Sequence, residues 1–297
     1  MSRPAPCPIY TLRGAGGPIN TLHFSCHGGD TPLLFSGSGK GAIHMWNLSI
    51  RRAERIVEGH SGSSVIWVNT LSSTDTLISQ GRDMRVCLWD LGRGRSELVD
   101  SLSTGSVGFC QCSLLETGSR TCLLAFAGQQ TEEPHSGGPI LLAGYEDGSL
   151  LLWDITQRSK LSQTKVHHEP VMCLTFDPEV LRGISGSSEK QLSSWILDGQ
   201  NNLQLQDCVT LTNPGVSQLC IRGDGKLLAS AGWDHRVRIF GWKNLRPLAV
   251  LQHHNDMVLS VAFSDHKDPR QRLLAAGSKD QRISLWSIYN QGPDTNS

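Results

Sequence analysis

Histidine, serine and aspartate recur together in this chain, and His60, Ser79 and Asp83 supply the three residue types of a hydrolytic triad. In such a site a serine hydroxyl attacks a carbonyl, a histidine takes its proton and a carboxylate orients the imidazole. That chemistry needs one activated serine beside its base and an oxyanion hole, which makes a single site. Here the spacing repeats instead. A serine followed four positions later by an acid occurs as Ser79 and Asp83, Ser185 and Glu189, and Ser230 and Asp234, with Ala276 and Asp280 at the same spacing. Repetition at a fixed interval suits a structural hydrogen-bond relay that satisfies polar groups in the interior, so no residue is expected to be catalytic.

Other reactive types lead no further. His167-His168 and His253-His254 are adjacent residues that point to opposite sides of an extended chain, and no cysteine or carboxylate completes a metal set beside them. Gly37-Ser-Gly-Lys-Gly41 lacks the spacing and the following helix of a phosphate loop and reads as a turn. Nine scattered cysteines with no C-x-x-C pair predict neither a disulfide framework nor a zinc site. No cofactor or metal is expected. Lys plus Arg is 27 and Asp plus Glu is 27, so no global field attracts phosphate backbone or anionic lipid, and a nucleic-acid partner is disfavoured. Prolines stand near the start where a signal peptide needs an apolar run, and no window approaches a membrane span, so the chain is expected to be soluble and intracellular.

The elements that must position these residues are marked by tryptophan, which at eight outnumbers Tyr at three and Phe at seven. Aromatics ending a short alternating run stand at Trp46, Trp89, Trp153, Trp195, Phe240 and Trp286, at separations of 43, 64, 42, 45 and 46. Six residues before them stand Lys40, Asp83, Asp147, Glu189, Asp234 and Asp280. Each unit reads as short strands joined by tight Gly and Asp turns, with no sustained helical period, which predicts an all-β fold. The interval of 64 is one repeat plus about twenty residues. Within it Ser103–Leu114 reads as a first strand, Thr121–Phe126 as a second, Gln129–Gly138 as a polar loop open to proteolysis, and Ile140–Gly144 as the second strand of the next unit.

Units of about 42 to 46 residues ending in Trp89-Asp90 and Trp153-Asp154, with Gly59-His60 ahead of the first of these, resemble the WD40 β-propellers. Leu141-Leu-Ala-Gly-Tyr-Glu-Asp-Gly-Ser, Ala231-Gly-Trp-Asp-His-Arg-Val-Arg and Leu274-Ala-Ala-Gly-Ser-Lys-Asp-Gln-Arg resemble more narrowly the beta-subunit-like, ASTRA-associated WD-repeat group. The resemblance implies one propeller over 1–290 with six clear blades and seven-blade ancestry. A strand at 8–13 would close the last blade, and 291–297 would be a disordered tail. Residues 103–138 would form an abnormal, incomplete third blade, through degeneration or loss of a segment, or a long insert in a six-blade ring. It implies that His60, Ser79, Asp83 and Trp89 form a structural relay, with Ser230, Asp234, Asp280 and Trp286 playing the same part in later blades.

The residue before the turn acid is exposed in such propellers, so Arg82, Glu146, Trp233 and Lys279 are the expected partner-binding residues, with Trp67 a weaker companion; Trp242 has no assigned role. Trp and Arg are common at interface hot spots. By the same resemblance the protein is a monomeric scaffold within a larger complex, in cytoplasm and nucleus. Its partners would be the co-chaperone components that mature phosphatidylinositol-3-kinase-related kinases. A G-protein beta-like signalling subunit is the weaker expectation, since Met1–Gly17 has no heptad for a coiled coil. A chromatin- or RNA-associated reader is a third, and the mixed charges of Arg82, Glu146 and Lys279 give it no clear binding mouth.

Overall fold

The computed structural model describes residues 6–25, 32–71, 75–105, 110–116, 122–125, 140–154, 157 and 159–290. Apart from two short 3-10 turns, every regular element among them is a strand. The chain divides into two compact units, one within Glu132–Val261 and the other taking Pro6–Thr131 with Ala262–Ser297.

After β1 (Tyr10–Leu12) come two complete four-stranded meanders, in each of which every strand pairs with the next in sequence. The first is β2 (Ile19–Ser25), β3 (Leu33–Ser38), β4 (Ala42–Asn47) and β5 (Arg52–Glu58). The second is β6 (Val65–Thr70), β7 (Thr76–Gly81), β8 (Arg85–Asp90) and β9 (Glu97–Ser103). Then, among the described residues, β10 (Ser113–Glu116) and β11 (Cys122–Ala125) pair only with each other. A three-stranded sheet follows, β12 (Ile140–Gly144), β13 (Ser149–Asp154) and β14 (Ser159–Lys165).

Two more complete meanders are β15 (Val171–Asp177), β16 (Arg182–Ser187), β17 (Gln191–Leu197) and β18 (Leu203–Thr210), then β19 (Val216–Ile221), β20 (Leu227–Gly232), β21 (Arg236–Gly241) and β22 (Pro247–Gln252). The last sheet has the order β1, β25 (Ile283–Trp286), β24 (Leu274–Ser278), β23 (Val258–Phe263). In it β1 runs antiparallel to β25, with Tyr10 opposite Leu285 and Leu12 opposite Ile283.

Strand periodicity explains why these runs look uniformly apolar. Along β4, Ile43 and Met45 point into one cluster with Phe35, Val57, Val65, Val68, Leu77 and Trp89, while Trp46 points into another with Leu12, Ile19, Leu22, Leu34 and Leu285. A sheet buried on both faces needs apolar residues at successive positions. The remaining clusters repeat the scheme within each unit: Leu150, Leu152 and Trp195 join β13 to β17, and Leu192, Val216, Leu219 and Phe240 join β17 to β19–β21.

The repeat aromatic has a geometric duty of its own. The pairing of third and fourth strands slips by one residue at Met45/Trp46, Leu88/Trp89, Leu152/Trp153, Ser194/Trp195 and Ile239/Phe240. A bulge there adds local twist to the outer strand while the large ring fills the space beneath.

The interval of 64 holds one correction. Ser103 does not open a first strand; it ends β9, where it lies opposite Arg85, and the Thr104 N–H continues onto the Met84 carbonyl at 2.8 Å. The free edge of β8 captures those residues first, and the short unit begins at Ser113. Its second strand is Cys122–Ala125. The expected loop and cleavage site at Gln129–Gly138 and the tail 291–297 lie outside the described residues.

Candidate functional site

The hydrogen-bond relay is complete in the second meander. His60 stands on the loop between β5 and β6, Ser79 in β7, Asp83 in the β7–β8 turn and Trp89 at the end of β8. The imidazole Nδ1 lies 2.9 Å from Asp83 Oδ1, its Nε2 lies 2.8 Å from Ser79 Oγ, and the Trp89 indole N–H donates to the same Oγ at 2.9 Å. An indole can only donate, so Ser79 accepts there and has its own proton for Nε2, leaving Nδ1–H for the carboxylate. A neutral imidazole satisfies every member. His60 and Ser79 are both at 0% exposure, so the serine cannot meet a substrate and the hydrolytic reading fails on access. Sequence reasoning passed over Gly81: a Cβ there would lie 2.6 Å from Asp83 Oδ1 and collide with the imidazole.

The other units depart from this arrangement, each for a visible reason. In β15–β18, His167 Nδ1 lies 2.6 Å from Glu189 and Nε2 2.9 Å from Ser185, but the Trp195 indole nitrogen has no partner among the described residues. Its ring lies over Gly183 and stacks on Phe176 at 5.8 Å. Ser230 and Asp234, expected as relay members, are not joined. The Ser230 hydroxyl is buried without a partner among the described residues, and Asp234 takes two hydrogen bonds from Arg238, at 3.0 and 2.6 Å. Leu211-Thr-Asn-Pro-Gly215, ahead of that sheet, holds no histidine to fill the gap, and an arginine from the sheet's own third strand takes its place. Burial pushes the Asp234 carboxyl up, but the hydrogen bonds and charge of Arg238, helped by Arg236, hold it below the ordinary carboxylate value.

Trp286 donates to Ser284 of its own strand at 2.8 Å, since position 276 carries alanine. Asp280 accepts the Arg282 N–H at 3.1 Å. Trp153, whose unit also carries alanine (Ala143) at the serine position, donates to the Tyr145 hydroxyl at 3.2 Å. Three of the thiols are made poor nucleophiles by burial, which pushes Cys87 up to about 11 and Cys112 and Cys173 up to about 12.

His44 shows the cost of an unfilled position. It stacks on Trp46 at 5.5 Å, its Nδ1 is buried without a partner among the described residues, and burial holds its pKa below the usual 6.5, with Glu58 pulling the other way. As pH falls below about 6.5 the unfolded chain takes up this proton before the folded one, so stability declines, by at most about 1.4 kcal/mol per pH unit. His44→Leu should remove that part of the decline; urea midpoints of variant and parent at pH 7.5 and 5.5 that fell in parallel would contradict it.

The tryptophans outside the repeat position sort clearly. Trp67, expected near the surface, is 8% exposed and packs with Ile78, Val86 and Cys112, with Leu114 and Leu124 of the short hairpin against them. The hairpin β10–β11 helps to bury it, so Trp67 is a core residue and not a partner-binding one. Trp242 is 2% exposed; its indole N–H donates to Asp177 at 2.8 Å and the Arg182 guanidinium lies 4.7 Å over the ring. Trp233 is half-buried in the β20–β21 turn, its ring resting on the backbone of Gly215, where φ is +89° and a Cβ would collide with it. Arg82, Glu146 and Lys279 are exposed at the tips of the corresponding turns.

Comparison with known proteins agrees with this architecture. Residues 6–47, 206–241 and 245–287 match the family described as "WD domain, G-beta repeat". The chain is 45% identical to the mouse "Guanine nucleotide-binding protein subunit beta-like protein 1" over 322 aligned positions, covering 96% of this chain and 97% of that protein. It is 26% identical to "ASTRA-associated protein 1" of Schizosaccharomyces japonicus, covering 96% of this chain and 99% of that one. To the protein of that name in Aspergillus flavus it is 22% identical, covering 97% and 98%.

Proposed function

The chain belongs to the WD-repeat family of β-propellers, and from that premise we propose that it is a non-enzymatic adaptor in the co-chaperone assembly that matures phosphatidylinositol-3-kinase-related kinases, working in cytoplasm and nucleus. The observation that carries a scaffold role is the contrast within each repeat. Where a histidine, serine and acid come together they are consumed in a buried relay, as at His60 and His167, while the residue one position before the turn acid faces solvent as Arg82, Glu146 or Lys279, or stands half-buried as Trp233. Full-length similarity to proteins named ASTRA-associated supports the particular assembly.

Trp233 is the strongest contact candidate on physical grounds. Its ring is braced on Gly215 and needs little ordering when a partner covers it, and such rigid aromatics carry a large share of interface energy. Affinity capture from cells with Trp233→Ala beside the parent chain should lose the kinase-maturation partners at least tenfold, as expected for a hot spot of about 2 kcal/mol. Unchanged partners would remove the turn tips from the proposal. Capture of a G-protein gamma subunit in their place would favour the signalling reading.

A further inference from the structure

The three-stranded sheet differs from the complete sheets in two independent ways. Among the described residues β12 is the last strand on its side, where every four-stranded sheet has one strand more. Its repeat aromatic is also less covered: Trp153 is half-buried, while Trp46, Trp89, Trp195, Phe240 and Trp286 are 1%, 5%, 1%, 3% and 1% exposed. Leu142, Leu150 and Leu152 point toward the packed cluster of β15–β18. Leu141, opposite Trp153, and Leu151, opposite Ala143, belong to the other face. Ile140 at 45% and Tyr145 at 40% exposure flank the open edge, and the strand runs into exposed Glu146 and Asp147.

An open strand with an apolar flank is a template for main-chain pairing. We propose that this edge takes an extended segment of a partner protein as the missing inner strand. The segment would lie antiparallel to β12, with aliphatic and aromatic side chains against Leu141 and Trp153 and one or two Lys or Arg immediately before it, beside Glu146 and Asp147.

The polarity follows from the complete sheets. There the first residue of the inner strand lies opposite the last residues of the second, as Val171 opposite Ser187 and Val216 opposite Gly232, so the segment's start meets the acidic turn. Basic residues at that end complement its charge. The alignment with the mouse relative extends over 322 positions, more than this chain's 297, so that relative has residues for which this chain has none. The shortened interval from Trp89 to Trp153 is where the repeat falls short. Of the turn tips the proposal uses Glu146 alone, and its test leaves Trp233 untouched, so the two readings fail separately.

The test uses the full chain and a fluorescein-labelled peptide, Lys-Lys followed by the inner strand of the next sheet, Val171–Asp177, with serine for its cysteine. The peptide should bind saturably, slow hydrogen exchange at residues 140–144 about tenfold, and bind roughly tenfold more weakly to Glu146→Lys. Glu179→Lys, an exposed charge on another sheet, should leave binding unchanged. No binding, or protection at 182–187 instead of 140–144, would overturn the proposal. So would slow exchange at 140–144 before peptide is added, which would mean that the chain covers its own edge, or a doubled mass with that protection, which would mean that a second copy does.

Discussion

Trp242→Ala is expected to cost about 3–5 kcal/mol, the range for emptying a fully packed tryptophan site. The ring lies in the cluster that joins β15–β18 to β19–β22, with Ile184, Leu211, Leu219 and Phe240. It is also tied at three points: its indole N–H to Asp177, its face to Arg182, and its carbonyl to an Arg182 guanidinium N–H at 3.0 Å. Asp177 is 9% exposed, so truncation leaves a buried carboxylate short of a donor as well as opening a cavity. Trp242→Phe separates the two effects, since it keeps most of the volume and loses the hydrogen bond, at about 1–3 kcal/mol. Urea unfolding followed by circular dichroism measures both. A loss under about 1 kcal/mol for the alanine variant would mean that the ring is not an anchor between these sheets.

The second large effect falls on the relay. His60→Ala removes the one group that faces both Ser79 and Asp83, and is expected to cost about 3 kcal/mol, as for any variant that strands buried polar partners. Ser79→Ala should cost a similar amount, because it leaves the imidazole Nε2 and the Trp89 indole without their shared partner. The double variant should cost less than the sum of the two, by about 0.5–3 kcal/mol, since both substitutions break one network. Ser230→Ala supplies the contrast: its hydroxyl has no partner to lose, so the change should fall within about 0.5 kcal/mol of neutral. Equal losses at Ser79 and Ser230 would show that serine at this position acts through packing and not through the relay.

These two sites differ in how far they could be foreseen. His60, Ser79, Asp83 and Trp89 were legible because each repeats a spacing tied to a local element: a junction loop, a second strand, a turn and the end of a third strand. Trp242 was not, because its partners Asp177 and Arg182 lie in the preceding sheet, some sixty residues away, and no period links them. Ser230 and Asp234 misled for the opposite reason. They keep the spacing of the relay, but the histidine that would join them is missing from the loop before their sheet, and Arg238 two residues before Phe240 takes the carboxylate instead. The absence of histidine in 211–215 was a signal available in the sequence. Trp67, a weaker companion among the expected partner-binding residues, misled through neighbours: two short strands distant in sequence help to bury it.

What the sequence by itself determined is the inventory of strands and the place where the repeat falters. Side-chain alternation, turn glycines and the aromatic at each third strand's end are local features, governed by residues within one turn or strand of each other. Only the tertiary structure decided which buried polar group meets which, and which tryptophan is a core residue, an anchor or a half-buried platform. Those outcomes depend on side chains from another sheet. Sheets pack through whole faces, so a side chain such as Arg182 or Asp177 from one sheet sets the role of a tryptophan in the next, which no local spacing records.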